Sequence, residues 1–500
     1  MPDPTGAGTI SFTGEILVKM KAGANAGPQL LGGSPAFPGL AGGASPAIDT
    51  RGHTLAPASD LGRWHRVSVQ APGGGFLGPG QDQQQPLWDA VRATLRQPGV
   101  EYAEPEVEIE YHVPPEFSLD TGLTLDRDWH LGEPPGVRAR AAWKLIADAG
   151  RKPGEGVIIA HLDTGYTAHP AVPADRFVSR GVDFWDPTRP DASDPLDSGV
   201  LLMPGHGTGT LCLLAADHPQ YRGIATASGI LPVRISPSVV HLRTSSLANG
   251  IVWACHQGAE VITISMGGLP SQLWADAVNY AYQQGVVICA AAGNNFVLPL
   301  GIRSPCRVVY PAKFNRVLGV AGVTFKELRY WTEKQGEMSG NFGPQVDIAA
   351  PTPDVLWAQP PAGYGPGAGT STATPQVAGA AALWLSFHRA ALAGFSPVEK
   401  VEACTHALLA SARRAGPAPY GPGGKRHLQS NEYFGVGRLD IAAALGVAPV
   451  KGLPAQPEDS VRDLLSELFG MLDADAAAQG AQLERLWASC NRPEPVRPGP

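Results

Sequence analysis

The sequence predicts an α/β protein whose main body is a mostly parallel sheet covered by helices on both faces, preceded by a small α+β unit. Two observations carry this. The first is a set of short, nearly continuous apolar runs: Val157-Ile158-Ile159-Ala160, Ile230-Leu231-Pro232-Val233-Arg234-Ile235, Val261-Ile262-Thr263-Ile264, Val286-Val287-Ile288-Cys289 and Val317-Leu318-Gly319-Val320. Strands buried on both faces read this way. The second is the helical patterning between the runs, as over residues 246–256 and 273–284. Strand, helix and strand in alternation imply crossover connections and a parallel sheet. A ligand then lies beyond the C-terminal ends of the strands.

From the N-terminus, Ile16, Val18 and Met20 alternate with Leu17, Lys19 and Lys21, a strand with one polar-leaning face. Residues 22–58 are rich in Gly, Ala and Pro and read as a long inserted loop. Residues 64–69 read as a second strand. Leu87, Trp88, Val91 and Leu95 fit a short helix after Pro86. Val107, Ile109 and Tyr111 alternate with Glu106, Glu108 and Glu110, a further strand. This mixed order makes residues 1–112 an α+β unit. Residues 113–127 are a Pro- and Asp-bearing linker, 128–448 the main domain and 449–500 a helical tail. In the tail Val461, Leu464, Leu465, Leu468, Phe469 and Leu472 share one helical face, and a second short helix is read through Leu483, Leu486 and Trp487. The Pro-rich end from Asn491 reads as disordered.

At 500 residues the chain is long enough for two or three domains. A net charge of -7 with no basic run argues against a general nucleic-acid binder. No stretch approaches the roughly 18 apolar residues of a membrane span. Residues 1–8 have neither a positive n-region nor an apolar h-region, so a cytoplasmic location is expected, with unconventional export left open. The six cysteines include no Cys-x-x-Cys, and His-Glu-x-x-His is absent, so no metal site is expected. The cysteines read as small buried hydrophobes in a reducing compartment.

The chemistry centres on Gly369-Thr370-Ser371-Thr372-Ala373-Thr374-Pro375, which leads into the apolar segment 377–385. A helix apolar on every side is a buried helix, and Pro375 is tolerated only in its first turn. Ser371 therefore sits at a helix start, beside free N–H groups and the positive end of the dipole. Most serines at helix starts only cap. Asp163 follows a strand directly, Ser265 ends another, Asn294 follows a third, and His206 opens an apolar helix in Gly205-His206-Gly207-Thr208. Each alone reads as a cap or a structural residue; four converging on one sheet edge suit acyl transfer. Ser371 would attack a carbonyl, His206 would carry its proton, Asp163 would fix the imidazole tautomer, and Asn294 would donate to the oxyanion.

Asp163-Thr164-Gly165, Gly205-His206-Gly207-Thr208 and the 369–379 segment together resemble the three catalytic motifs of the subtilisin-like serine proteases, the subtilase family. Ser265-Met266-Gly267-Gly268 resembles the family's substrate-flanking strand, Ala291-Ala292-Gly293-Asn294 its oxyanion block and Tyr310-Pro311-Ala312 a further landmark. The resemblance implies a subtilisin-like three-layer fold, serine endopeptidase activity on polypeptide substrates, and Val309 near the floor of the S1 pocket. The order Asp, His, Ser separates the chain from α/β-hydrolases. Residues 1–112 resemble a ferredoxin-like propeptide, chiefly through Gly99-Val100-Glu101-Tyr102-Ala103-Glu104-Pro105. This implies a zymogen, with the N-terminal domain acting as intramolecular inhibitor through the segment after Tyr111. The loop 217–223 after the helix of His206 is short and poor in carboxylates, so neither a cofactor nor a strong calcium site is expected. Two other readings compete with the peptidase: a catalytically idle subtilase scaffold that binds, and a binding protein whose N-terminal unit and tail carry the function.

Overall fold

The apolar runs become strands in the computed structural model of the chain, which describes residues 9–24, 44–55, 60–69, 84–110, 128–197, 203–219, 221–239, 241–296, 307–330, 338–417, 419–426 and 428–461. Seven strands make the main sheet: β1 (Ile158–Asp163), β2 (Val182–Asp183), β3 (Gly229–Arg234), β4 (Val261–Ile264), β5 (Val287–Ala291), β6 (Val317–Val323) and β7 (Ile348–Pro351). Their order is β7-β6-β5-β4-β1-β3-β2, and every neighbouring pair is parallel. β4, β5 and β6 are buried at every residue, as strands covered on both faces must be.

Six helices matter for the site: α1 (Ala139–Asp148), α2 (His206–Ala215), α3 (Thr244–His256), α4 (Gln272–Gln283), α5 (Thr370–Phe387) and α6 (Pro397–Ala410). Strand alternation sorts α2 and α3 into separate layers. Leu162 faces α3, where it lies against Gly250. Its neighbours His161 and Asp163 face the other way, to Thr210 of α2. The sheet is thus sandwiched, and the three-layer architecture follows from which side chains of β1 point where. α5 is buried along nearly its whole length; Pro375 is its sixth residue, past the first turn expected from the sequence, and the Ser371 carbonyl it leaves without a helical donor accepts the Ser265 hydroxyl. Its apolar residues join one core with α1, α2 and α6.

The described chain forms two compact units. Of the described residues, the larger holds 48–55, 60–62 and those from 108 to 461. Residues 48–55, expected to lie in a long loop, are anchored on α3: Asp49 N–H donates to Asn249 Oδ1 (2.8 Å), and His53 meets the Gln257 amide (2.8 Å). Backbone at residues 108, 109 and 110 pairs antiparallel with His241–Arg243, and Glu108 bonds the Arg243 guanidinium (3.1 Å).

The smaller unit is an antiparallel-leaning sheet with a helix, Gln84–Leu95. Its strands are Thr9–Met20, Ser45–Pro46, Trp64–Ser68 and Val100–Glu110, the last counted here as far as Val107, ordered fourth, first, third, second. That is the ferredoxin-like order. Ile16, Val18, Met20, Val67, Leu87, Val91 and Val100 form its core. The linker 113–127, residues 25–43 of the insertion and the helices expected beyond 461 lie outside the described residues.

Two further contacts hold the larger unit. Residues 454–461, expected to belong to a helical tail, form no helix and instead strap the larger unit: Asp459 accepts the N–H groups of Asn315 (2.7 Å) and Arg316 (3.0 Å), while its own main chain bonds the Asn279 amide. Lys425 Nζ donates to the carbonyls of Ala312 (2.8 Å), Phe314 (2.9 Å) and Val317 (2.6 Å) and pairs with Asp347 (2.8 Å). Three carbonyls and a carboxylate converging on one ammonium satisfy all its donors in a buried position.

Candidate active site

β1 ends at Asp163, at the C-terminal edge of the sheet. Its carboxylate is fully buried. Oδ1 accepts from His206 Nδ1 (2.7 Å) and from the Thr164 N–H (2.8 Å); Oδ2 lies 3.1 Å from the Thr210 hydroxyl. Burial alone would raise its pKa. The His206 ring, His161 and the Thr164 N–H outweigh burial and hold the carboxyl below its ordinary range. Asp163 is therefore an anion that fixes which nitrogen of His206 carries hydrogen.

His206 opens α2. The helix can approach the turn after β1 because residue 207 is glycine: a Cβ there would overlap the Gly165 carbonyl. The Gly207 N–H instead bonds Thr164 Oγ1 (3.0 Å). Asp194 pins the entry to the helix by accepting the Gly205 N–H (2.8 Å). The imidazole packs edge-on against Trp357, with ring centroids 5.4 Å apart.

Ser371 is the second residue of α5, behind Gly369 with φ +91°. Its hydroxyl donates to the Ser265 carbonyl (2.9 Å), and the Ser265 hydroxyl donates back to the Ser371 carbonyl (3.1 Å). The strand end at 265 and the start of α5 are thereby clamped together. Asn294 Oδ1 accepts the Thr370 N–H (3.0 Å) and hydroxyl (3.3 Å). With the oxygen committed, the Asn294 NH2 is the end of the amide left to face a ligand.

Along 265–268, Gly268 exchanges both main-chain bonds with Tyr310 (2.8 and 3.2 Å). By strand alternation the N–H and C=O of Gly267 point away from Tyr310. Met266 is buried. Val309 bonds Ala292 O through its N–H (3.1 Å), and its side chain fills the space between Gly267 and Gly293. The structure thus gathers Asp163 with His206, Ser371 with Ser265, and Val309 with Gly267.

Sequence reasoning missed His161 and Thr210, which reach Asp163 from its own strand and from α2. It also missed the buried Asp183–Arg234 pair (2.6 Å), whose Arg234 Nε holds the Thr164 carbonyl (3.1 Å). Arg234 was legible only as an arginine interrupting an apolar run. After α2, Asp217–His218 pairs antiparallel with Tyr221–Arg222 in the short loop. Among the described residues no group of three or more His, Cys, Asp or Glu is arranged to hold a metal ion.

Residues 154–437 match the sequence model described as the subtilase family. The chain is 33% identical over 264 residues to thermitase of Thermoactinomyces vulgaris, which covers 52% of this chain and 83% of thermitase. It is 32% identical over 239 residues to subtilisin of Bacillus pumilus, covering 47% of this chain and 78% of that protein. A solved protease of Pseudoalteromonas arctica superposes with TM-score 0.50 at 26% identity, over 64% of this chain and 97% of its own. Fervidolysin of Fervidobacterium pennivorans shares the fold, with TM-score 0.59 at 20% identity, over 88% of this chain and 62% of fervidolysin. These relatives correct one expectation. Thermitase and the subtilisins are secreted extracellular proteases, which overturns the cytoplasmic location read from residues 1–8. The four described thiols need no reducing compartment. Cys212, Cys289 and Cys404 are buried, and burial pushes the Cys255 thiol up to about 12, so they stay protonated and inert. No helix among the described residues is long and apolar enough to cross a membrane.

Proposed function

The chain belongs to the subtilase family and is a serine endopeptidase acting on polypeptides, and from that premise we propose that Asp163, His206 and Ser371 are its catalytic triad and Asn294 its oxyanion donor. The observation that carries this is the buried 2.7 Å bond from His206 Nδ1 to Asp163 Oδ1. It leaves Nε2 of a neutral imidazole as the basic nitrogen. In the resting arrangement the Ser371 proton points to the Ser265 carbonyl. Rotation of the hydroxyl hands that proton to His206 Nε2 as Oγ attacks the scissile carbonyl. The oxyanion then forms beside the Asn294 NH2 and the main-chain N–H of Ser371 at the start of α5, where helix N–H groups lack partners. His206 next gives the proton to the leaving amine, and water repeats the cycle on the acyl-enzyme. Asp163 keeps its charge throughout and stabilises the imidazolium.

The substrate lies as an extended strand against 265–268, using the outward N–H and C=O of Gly267. Val309, wedged between Gly267 and Gly293, shortens the S1 pocket, so small or medium apolar P1 residues are favoured. Residues 1–112 act as an intramolecular inhibitor through the segment after Tyr111, a reading supported by the ferredoxin-like strand order of the smaller unit.

A fluorophosphonate probe tests the triad. Wild type should be labelled and should hydrolyse peptides; Ser371→Ala and His206→Ala should do neither to a measurable extent, and the double variant should be little worse than either. Retained turnover in a clean Ser371→Ala preparation would refute the mechanism.

A further inference from the structure

Asp163 has four acceptor positions, and the interaction with His206 uses only one oxygen. Oδ1 takes His206 and the Thr164 N–H. Oδ2 is equally shut off from water, and its hydrogen-bond neighbour is Thr210 Oγ1 at 3.1 Å. Thr210 in turn lies 2.7 Å from His161 Nε2, with both side chains buried. Neither residue is a member of the proposed triad.

We infer that Thr210 and His161 are positioning residues of the peptidase reaction: His161 Nε2–H donates to Thr210 Oγ, and the Thr210 hydroxyl donates to Asp163 Oδ2, so that a two-link chain sets the charge Asp163 presents to His206. The inference rests on Asp163 being the triad carboxylate.

The direction of the chain follows from counting protons. The Thr210 hydroxyl has one hydrogen and three acceptors in reach: Asp163 Oδ2, and the carbonyls of Gly207 (3.1 Å) and His206 (3.3 Å) one turn back. Hydrogen bonds to an ionised oxygen are about twice as strong as neutral ones, so the carboxylate wins. Thr210 then has lone pairs free to accept from His161. The opposite tautomer would place an N–H on His161 Nδ1, a buried atom with no partner, and would leave Nε2 drawing the hydroxyl away from the carboxylate.

His161 is a neutral donor at working pH. Its pKa is lowered to about 4: burial pushes it down, Asp163 pulls it up and His206 pushes it down. Those two are the charged groups that face it; its register partners on the adjoining strands, Thr263 and Pro232, are neutral. A donor on Oδ2 draws negative charge from the carboxylate, so the imidazolium of His206 is stabilised less than by a bare anion.

The test is the pH profile of kcat/KM for a peptide substrate. Thr210→Val keeps the shape and removes the donor; its acid limb should move up by about one pH unit, with KM unchanged. Thr210→Ser should restore the wild-type limb. His161→Leu should move the limb the same way by less, and it keeps the idea testable if Thr210→Val does not fold. An acid limb that coincides with wild type in both Thr210→Val and His161→Leu overturns the inference, even if kcat falls. Failure of the triad itself would read differently: Ser371→Ala would retain turnover.

Discussion

His161 should make the fold acid-sensitive, and the size of the effect can be worked from its burial. In the unfolded chain its imidazole titrates near 6.5; in the folded protein burial moves this to about 4. Between those values the unfolded chain binds a proton that the folded protein does not. Stability then rises with pH, and conversely falls as pH drops from about 6.5 to about 4. Each pH unit of the gap is worth about 1.4 kcal/mol, so the loss through this residue approaches about 3 kcal/mol at the acid end. Other histidines whose burial depresses them, such as His65 and His388, act in the same sense. They cancel when two proteins differing only at 161 are compared, since distant sites add. The comparison is Ser371→Ala against Ser371→Ala with His161→Leu, the serine change preventing self-digestion. Urea midpoints are measured from pH 7 to pH 4. The leucine variant is expected to be the less stable protein at pH 7 and to regain about 3 kcal/mol relative to its parent by pH 4. A stability difference that stays constant over that range would refute a neutral, buried His161.

Asn294→Ala should lower kcat by roughly 10²–10³ with little change in KM, because the oxyanion exists only in the transition state; steady-state kinetics on one peptide decides it. Val309→Ala should deepen S1 and raise kcat/KM for Phe relative to Ala at P1 by roughly tenfold or more, read from a P1 peptide library, whereas a strong wild-type preference for Phe, Tyr, Lys or Arg counts against the shallow pocket. Asp459→Ala strands the N–H groups of Asn315 and Arg316 and should cost about 2–4 kcal/mol, seen as a lowered thermal midpoint in the Ser371→Ala background. If residues 1–112 inhibit, intact mass should give 52.2 kDa for Ser371→Ala and a product cut within 116–126 for wild type, and a 128–500 enzyme indifferent to added 1–112 would refute the role.

The parts legible in the sequence were those whose signal is local. Val261–Ile264 and Val317–Val323 announce buried strands because both faces are covered, and the residues around Asp163, His206 and Ser371 are contiguous in the chain. What escaped depends on contacts between distant segments or on chain without periodicity. β2 has two residues, too few for any pattern, and β7 is Ile-Ala-Ala-Pro, whose alanines and proline are poor strand formers. The strap at 454–461 has no regular structure, and its hold comes from one carboxylate meeting two N–H groups about 140 residues away. Thr210 stands four residues after His206 and His161 two before Asp163, with no local pattern that marks either. Their role appears only once β1 and α2 are side by side.

The cage around Lys425 changes what the surroundings can do to the protein. A cation drawn from solution would stabilise such a cluster of oxygens by mass action, in proportion to the logarithm of its concentration. An ammonium carried on the chain has no concentration to vary. The carbonyls of Ala312, Phe314 and Val317, which follow directly on the Val309–Tyr310 wall of the cleft, therefore keep their counter-charge through dilution, desalting or chelation.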